Sequence, residues 1–174
     1  MSEFVTTVDS MKKDHHRQGG SLPRQAHSRA LDSAFRILAR RDHTQKELKA
    51  KLRQKGFDRP AIEGALARCR ELGYLDDAKT ATIIAGHLAE SGYGPLRVRQ
   101  TLGQKGIDDA AIEQALASCG DEDTQVLSAR RMLEKKASHL SREADLWKRR
   151  QKAYRYLAGR GFSSTVINMA ITDV

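Results

Sequence analysis

The chain reads as an all-α protein built from three tandem three-helix repeats of helix–turn–helix type, set in an elongated, curved arrangement. Three observations predict this. Residues 52–69 and 102–119 are near copies, identical at 12 of 18 positions at a constant offset of 50. A weaker third copy runs through Leu157, Gly161, Phe162, Ser163, Val166, Ile167, Ala170 and Ile171. Repetition at a period of tens of residues marks stacked supersecondary units that share cores with their neighbours. Helix formers dominate the 174 residues, aromatics make up only 5%, and three residues are proline. No segment sustains the alternation of a strand.

Residues 1–28 are polar, carry Gly19, Gly20 and Pro23, and show no helical periodicity. They predict a disordered tail. His15 and His16 within it lack the spaced partners of a metal site. The first repeat is expected over 29–75. Its first helix starts near Ser28 with Leu31, Ala34, Phe35 and Leu38 on one face. Thr44 and Glu47 form a capping box for a second helix with Leu48 and Leu52 inward. Gly56 ends that helix and Asp58 caps the third, with Pro60 in its first turn. Ile62, Ala65, Leu66, Cys69 and Leu72 make the inner stripe of this third helix.

The second repeat, 76–120, restates the plan. Asp76 or Asp77 caps a helix with Ile83, Ile84 and Leu88 inward. Pro95 opens the next, with Val98 and Leu102 buried. Asp108 caps the third, with Ile112, Ala115 and Leu116 inside. The third repeat, 121–174, has a longer opening pair. Val126, Ala129, Met132 and Leu133 form one inner face, and Leu146, Trp147, Tyr154 and Leu157 another. After Gly161, Ser163 caps a last helix carrying Val166, Ile167, Ala170 and Ile171.

The net charge of +9 is unevenly spread. Residues 29–75 carry 12 basic and 6 acidic side chains, residues 76–123 carry 4 and 9, and residues 124–174 carry 11 and 4. Two basic ends flank an acidic middle, which suits an anionic partner at the ends. Arg36, Arg40 and Arg41 lie on or just after the first helix. Lys46, Lys49 and Arg53 share one face of the second. From Trp147 to Tyr156, five cations (Lys148, Arg149, Arg150, Lys152, Arg155) interleave with three aromatics. Rings among cations suit single-stranded nucleic acid or a nucleoprotein groove. The same pattern also describes a solvated helix face with its rings turned inward, and both readings stand at this point. Asp109 and Glu113 mark the acidic middle as a surface for a partner protein.

Several chemistries find no anchor. No apolar stretch reaches the roughly 18–20 residues that span a bilayer, and no secretory signal opens the chain. Cys69 and Cys119 sit at matching repeat positions and read as small unpaired hydrophobes. No phosphate-binding glycine loop, nucleophile elbow or HExxH is present. His43, His87 and His139 read as packing or surface residues. Adjacent Asp76 and Asp77 could suggest an acid/base pair, but neighbours on a helix diverge. A helix cap beside a Tyr74–Leu75 plug between repeats is the simpler reading. No enzymatic activity and no cofactor are expected. As a major-groove reader, the second repeat would present Asp108, Asp109 and Glu113, which phosphates repel.

The stretch from Ala39 to Leu52, followed by Gln54-Lys55-Gly56-Phe57, resembles the opening repeat of the RecX family. Gly73-Tyr74-Leu75-Asp76-Asp77, Gln104-Lys105-Gly106-Ile107 and Arg160-Gly161-Phe162-Ser163 resemble its later signatures. The resemblance spans residues 29–171, although Thr80 stands where that family generally has an aromatic. It implies a cytoplasmic, monomeric bacterial modulator of the RecA recombinase. Such a protein is usually inhibitory, lodges in the groove of the RecA–DNA filament, and bears on recombination, DNA repair and the SOS response. The expected partners are the RecA filament and DNA of either strandedness, bound weakly and without sequence preference, and no membrane. A general helix–turn–helix DNA-binding protein, transcriptional or architectural, is the alternative. Reversing charge at Lys148, Arg149 and Arg150 is expected to weaken filament binding.

Overall fold

The computed structural model describes residues 23–172, which form ten helices and no strand. Module one holds α1 (Pro23–Leu38), α2 (Gln45–Gln54) and α3 (Arg59–Glu71). Module two holds α4 (Asp77–Glu90), α5 (Pro95–Gln104) and α6 (Asp109–Ala117). Module three holds α7 (Glu122–Glu134), the single turn α8 (Ala137–Leu140), α9 (Leu146–Gly159) and α10 (Ser164–Ala170). Residues 1–22 and 173–174 lie outside the described residues, and so does most of the expected tail.

Caps set the boundaries. Thr44 accepts from the Glu47 amide while the Glu47 carboxylate accepts from the Thr44 amide, a complete capping box at α2. Asp58, Asp76, Asp108, Asp121, Asp145 and Ser163 each accept a backbone N–H at the start of their own helix. Gly56, Gly106 and Gly161 turn the chain after α2, α5 and α9 with φ of 82°, 78° and 85°, which favours glycine.

Each module buries its own apolar cluster. Leu48, Leu52, Ile62, Leu66 and Cys69 centre the first, with Leu75 closing it. Val98, Leu102, Ile107 and Ile112 centre the second. Leu133, Leu157, Phe162, Val166 and Ile167 centre the third. In every module the first helix packs on the last, and three small cores in series make the scaffold elongated.

The structure departs from expectation in five places. Helix α1 begins at Pro23, inside the segment expected as tail. Ala26 and Ala30 pack on the core, and His27 lies over Gly64, where a Cβ would strike its ring. Small residues thus bury a face that apolar periodicity did not reveal. In α4 the buried residues are Thr80, Ala81 and Ala85, with Ile84 and Leu88 half-buried and Ile83 exposed. Small side chains there face Ala111 and Ala115 of α6, so the stripe centres on alanine. Leu72 caps α3 and is 43% exposed. Tyr74 lies outside, edge-on to Phe35 with ring centroids 5.4 Å apart, while Leu75 alone enters the core. Leu146 and Trp147 are 63% and 68% exposed, because α9 extends about two turns beyond Ala153 and Leu157, which pack.

The modules meet end against end. The C-terminus of α5 abuts the N-terminus of α2: Thr44 Oγ1 donates to the Lys105 carbonyl at 2.9 Å, and Lys46 Nζ to the Gln104 carbonyl at 2.9 Å. Lys105 Nζ reaches Glu47 at 2.5 Å. The C-terminus of α9 abuts the N-terminus of α5 in the same way. Gly94 and Leu96 amides donate to the Arg160 and Gly161 carbonyls at 2.8 and 3.0 Å. Orphan carbonyls of one helix therefore meet the donor end of another, with dipoles in attractive order.

Candidate nucleic-acid interface

A groove of about 720 Å³ opens between the C-terminal half of α1 and the outer face of α2. Arg36, Arg40, Arg41, Lys51 and Lys55 line it, with Ser33 and His43 at its wall. Arg36 and Arg41 donate to the Asp32 and Asp42 carbonyls, which hold the guanidinium groups without neutralising them, and Arg41 also lies 3.7 Å from the Glu47 carboxylate. His43 is 4% exposed, and its Nδ1–H donates to the Glu47 carboxylate at 3.3 Å. Burial holds its pKa below the usual 6.5, and Arg41 adds to this against the pull of Glu47. It is therefore neutral at pH 7.

Glu47 ties this groove to the neighbouring module. It closes the capping box, pairs with Lys105, and has Arg41 at 3.7 Å. Burial pushes its carboxyl up, but hydrogen bonds from Lys105 and the Thr44 amide outweigh that and hold it below the ordinary value.

A second groove, of about 470 Å³, lies between α8 and α9. Lys136, Lys152, Arg155, His139 and Tyr156 line it. Lys136 Nζ sits 5.7 Å from the Tyr156 ring centroid, and Arg160 lies over both Tyr156 and Tyr93 at 5.1 and 5.2 Å.

The candidates chosen from sequence divide. Arg36, Arg40 and Arg41 gather in the first groove, and Lys152 and Arg155 in the second. Lys46 instead caps α5, and Lys49 pairs with Glu63 at 2.5 Å. Arg53 is exposed on α2 outside the first groove. Lys148 is exposed beside Asp145 at 3.9 Å. Arg149 donates twice to the Glu143 carbonyl, at 3.1 and 2.9 Å, tying α9 to the loop before it. Arg150 donates to the Thr172 carbonyl at 3.1 Å. Sequence reasoning missed Lys51, Lys55 and Lys136. The i, i+4 spacing of Lys51 and Lys55 was the available signal, obscured by Lys49 and Arg53 beside them.

Of the three aromatics among the α9 cations, Trp147 is exposed, and Tyr154 and Tyr156 are half-buried against the core. In the acidic module, Asp109 is exposed, and Glu113 is ion-paired to Arg99. Asp76 and Asp77 diverge. Asp76 caps its own helix, and Asp77 accepts the Gln45 amide at 2.8 Å across the junction. Burial raises the Asp77 pKa. Both cysteines are free. Among the described residues, no group of three His, Cys, Asp or Glu converges, and no helix is long and apolar enough to cross a membrane.

Fold and surface define a tandem three-helix-repeat scaffold with cation-lined ends and an acidic centre. Its segments match family models for the first, second and third three-helix domains of RecX over residues 30–69, 76–116 and 123–171. The chain belongs to the RecX family of regulatory proteins. It is 38% identical over 148 residues to "Regulatory protein RecX" of Legionella pneumophila strain Corby, covering 84% of this chain and 95% of the relative. It is 40% identical over 144 residues to the Deinococcus radiodurans protein of that name, covering 83% of this chain and 67% of the relative. The crystal structure of RecX from Lactobacillus salivarius superposes with a TM-score of 0.79 over 86% of this chain and 97% of that one. At 24% identity, that likeness is one of fold.

Proposed function

We propose that this chain is a non-enzymatic inhibitor of the RecA recombinase, acting in the cytoplasm as a monomer lodged in the groove of the RecA–DNA filament. The observation that carries this reading is the placement of two cation-lined grooves on the outer modules, either side of an acidic middle, in a member of the RecX family. The outer grooves attract DNA phosphates or acidic patches of the filament, and the surface around Asp109 faces basic protein. Inhibition follows from occupancy: a scaffold in the groove bridges subunits, blocks extension and obstructs the path of a second DNA. Asp76 and Asp77 each serve a backbone amide, which supports binding over catalysis. The acidic start of α6 argues against sequence-specific reading by that helix.

The test is RecA's DNA-dependent ATP hydrolysis and strand exchange, titrated with this protein below equimolar amounts. Inhibition at sub-stoichiometric ratios is expected. Unchanged rates at equimolar protein, or tight binding of one duplex sequence without RecA, would defeat the reading and favour a general helix–turn–helix DNA binder.

A further inference from the structure

Each inter-module junction is made by the same small device. A cation and a glycine that end the next-to-last helix of one module dock on the start of the second helix of the module before it. Lys105-Gly106 docks on Thr44-Gln45-Lys46-Glu47. Arg160-Gly161 docks on Gly94-Pro95-Leu96, where Arg160 also donates to the Ser91 and Gly92 carbonyls. Both glycines sit where a side chain would collide. A Cβ on Gly106 would lie 2.5 Å from Lys46 Cδ, and one on Gly161 would strike the Arg97 backbone.

Module one carries the same device. Gln54-Lys55-Gly56 is identical in residue type to Gln104-Lys105-Gly106, and Gly56 has the same left-handed φ of 82°. Gln54, Lys55 and Gly56 are all exposed, and a Cβ on Gly56 would meet nothing within 4 Å. The docking turn is thus present a third time, with no receptor among the described residues.

We infer that the Gln54–Gly56 turn is a docking knob for a helix N-terminus on a partner protein. The receptor it fits is defined by the junction its twin makes. It is a helix start with a Ser, Thr or Gly N-cap whose donors meet the Gln54 and Lys55 carbonyls. An acidic residue in the first turn meets the Lys55 ammonium, as Glu47 meets Lys105. Charge selects the same partner, because Arg53, Lys51 and Arg40 surround the turn and favour an acidic helix start. A second copy of this chain does not fit. Its Thr44 helix start is already filled by its own Lys105 turn, the Ser163 start of α10 has no acidic residue in its first turn, and the acidic starts of α6 and α7 carry aspartate N-caps rather than Ser, Thr or Gly.

This inference rests on the proposed action on RecA, so the partner tested is the RecA filament on single-stranded DNA. Gly56→Asn retains the left-handed turn, which asparagine tolerates, but adds a side chain where the twin turn leaves no room. It leaves every cation in place. We expect the variant to need about tenfold more protein for half-inhibition of RecA, equivalent to roughly 1.4 kcal/mol, with its oligonucleotide affinity unchanged and the protein still fully folded at the assay temperature, its unfolding midpoint lowered only by the left-handed turn. A second variant places p-benzoylphenylalanine at exposed Gln54, and light should cross-link it to RecA within the first turn of a helix. Inhibition by Gly56→Asn equal to wild type, or no RecA adduct from position 54 in an inhibiting complex, would overturn the knob. Failure of the wild-type protein to inhibit would overturn the RecA reading and the knob with it. That outcome is distinguished because it precedes any variant.

Discussion

Replacing Lys51 and Lys55 together by glutamine should flatten the salt dependence of single-stranded DNA binding, whereas replacing Lys46 and Lys49 should not. All four lysines lie on or next to α2, so composition alone makes the two double variants equivalent. The structure separates them. Lys51 and Lys55 line the 720 Å³ groove with Arg36, Arg40 and Arg41. The Lys46 ammonium lies outside that groove, held at the α2–α5 junction by the Gln104 carbonyl, and the charge of Lys49 is paired with Glu63. Each phosphate neutralised on a single strand contributes about −0.7 to the slope of log K against log salt. Losing two contacts should therefore make the slope shallower by about 1.4. Between 50 and 200 mM salt, that is about sevenfold less loss of affinity. Fluorescence anisotropy of a labelled oligothymidylate across that range reads both slopes. The Lys46/Lys49 variant should keep the wild-type slope while losing some thermal stability, because Lys46 braces the α2–α5 junction. Equal flattening by both pairs would refute the assignment of the groove as the phosphate contact.

Further outcomes follow from packing, titration and exposure. Gly94→Ala would drive a Cβ into the Gly161 carbonyl, a backbone atom that cannot rotate away. It should cost about 1–3 kcal/mol and raise hydrogen exchange at the Gly94 and Leu96 amides. Leu102→Ala, at a fully buried site in the second core, should cost about 2–5 kcal/mol in urea denaturation. His43 has a folded pKa below 6.5, so the unfolded chain takes its proton first as pH falls. Its contribution to stability is intact above pH 6.5 and is lost as pH drops from there through the lower folded value. His43→Gln should remove that part of the pH dependence measured by thermal unfolding. The one tryptophan, Trp147, should emit as a solvent-exposed indole and be quenched when an oligonucleotide stacks on it. Unquenched emission at saturation would move the strand away from the start of α9.

Helix order, most caps and the centres of the α3, α6 and α10 stripes could be read in the chain itself, because they are local. Thr44 with Glu47, Asp58, Asp108 and Ser163 announce helix starts through chemistry within one turn, and each does that work in the structure. What failed to show in the sequence depends on neighbours distant along the chain. The α4 stripe runs through Thr80, Ala81 and Ala85 because α6 brings alanines to meet it, and alanine carries little hydrophobic signal. Leu146 and Trp147 scan as core residues until the first two turns of α9 carry them past the packing surface. The basic face of α2 was visible as charge. Its division into groove, cap and ion pair was not, because Gln104 and Glu63 lie 58 and 14 residues away. Arg149 makes the same point. A charge reversal at Lys148, Arg149 and Arg150 would also break the hold of Arg149 on the Glu143 carbonyl. Lys152 and Arg155 are the better pair for testing the second groove, although Lys152 also pairs with Glu143 at 2.6 Å.

A reconstruction of this protein on a RecA filament assembled on single-stranded DNA puts the claim of groove occupancy to the sharpest test. We expect elongated helical density along the filament groove, with modules one and three nearer the DNA and module two against protein. Density confined to a filament end or to its outer rim, or bare filaments at saturating protein, would contradict it.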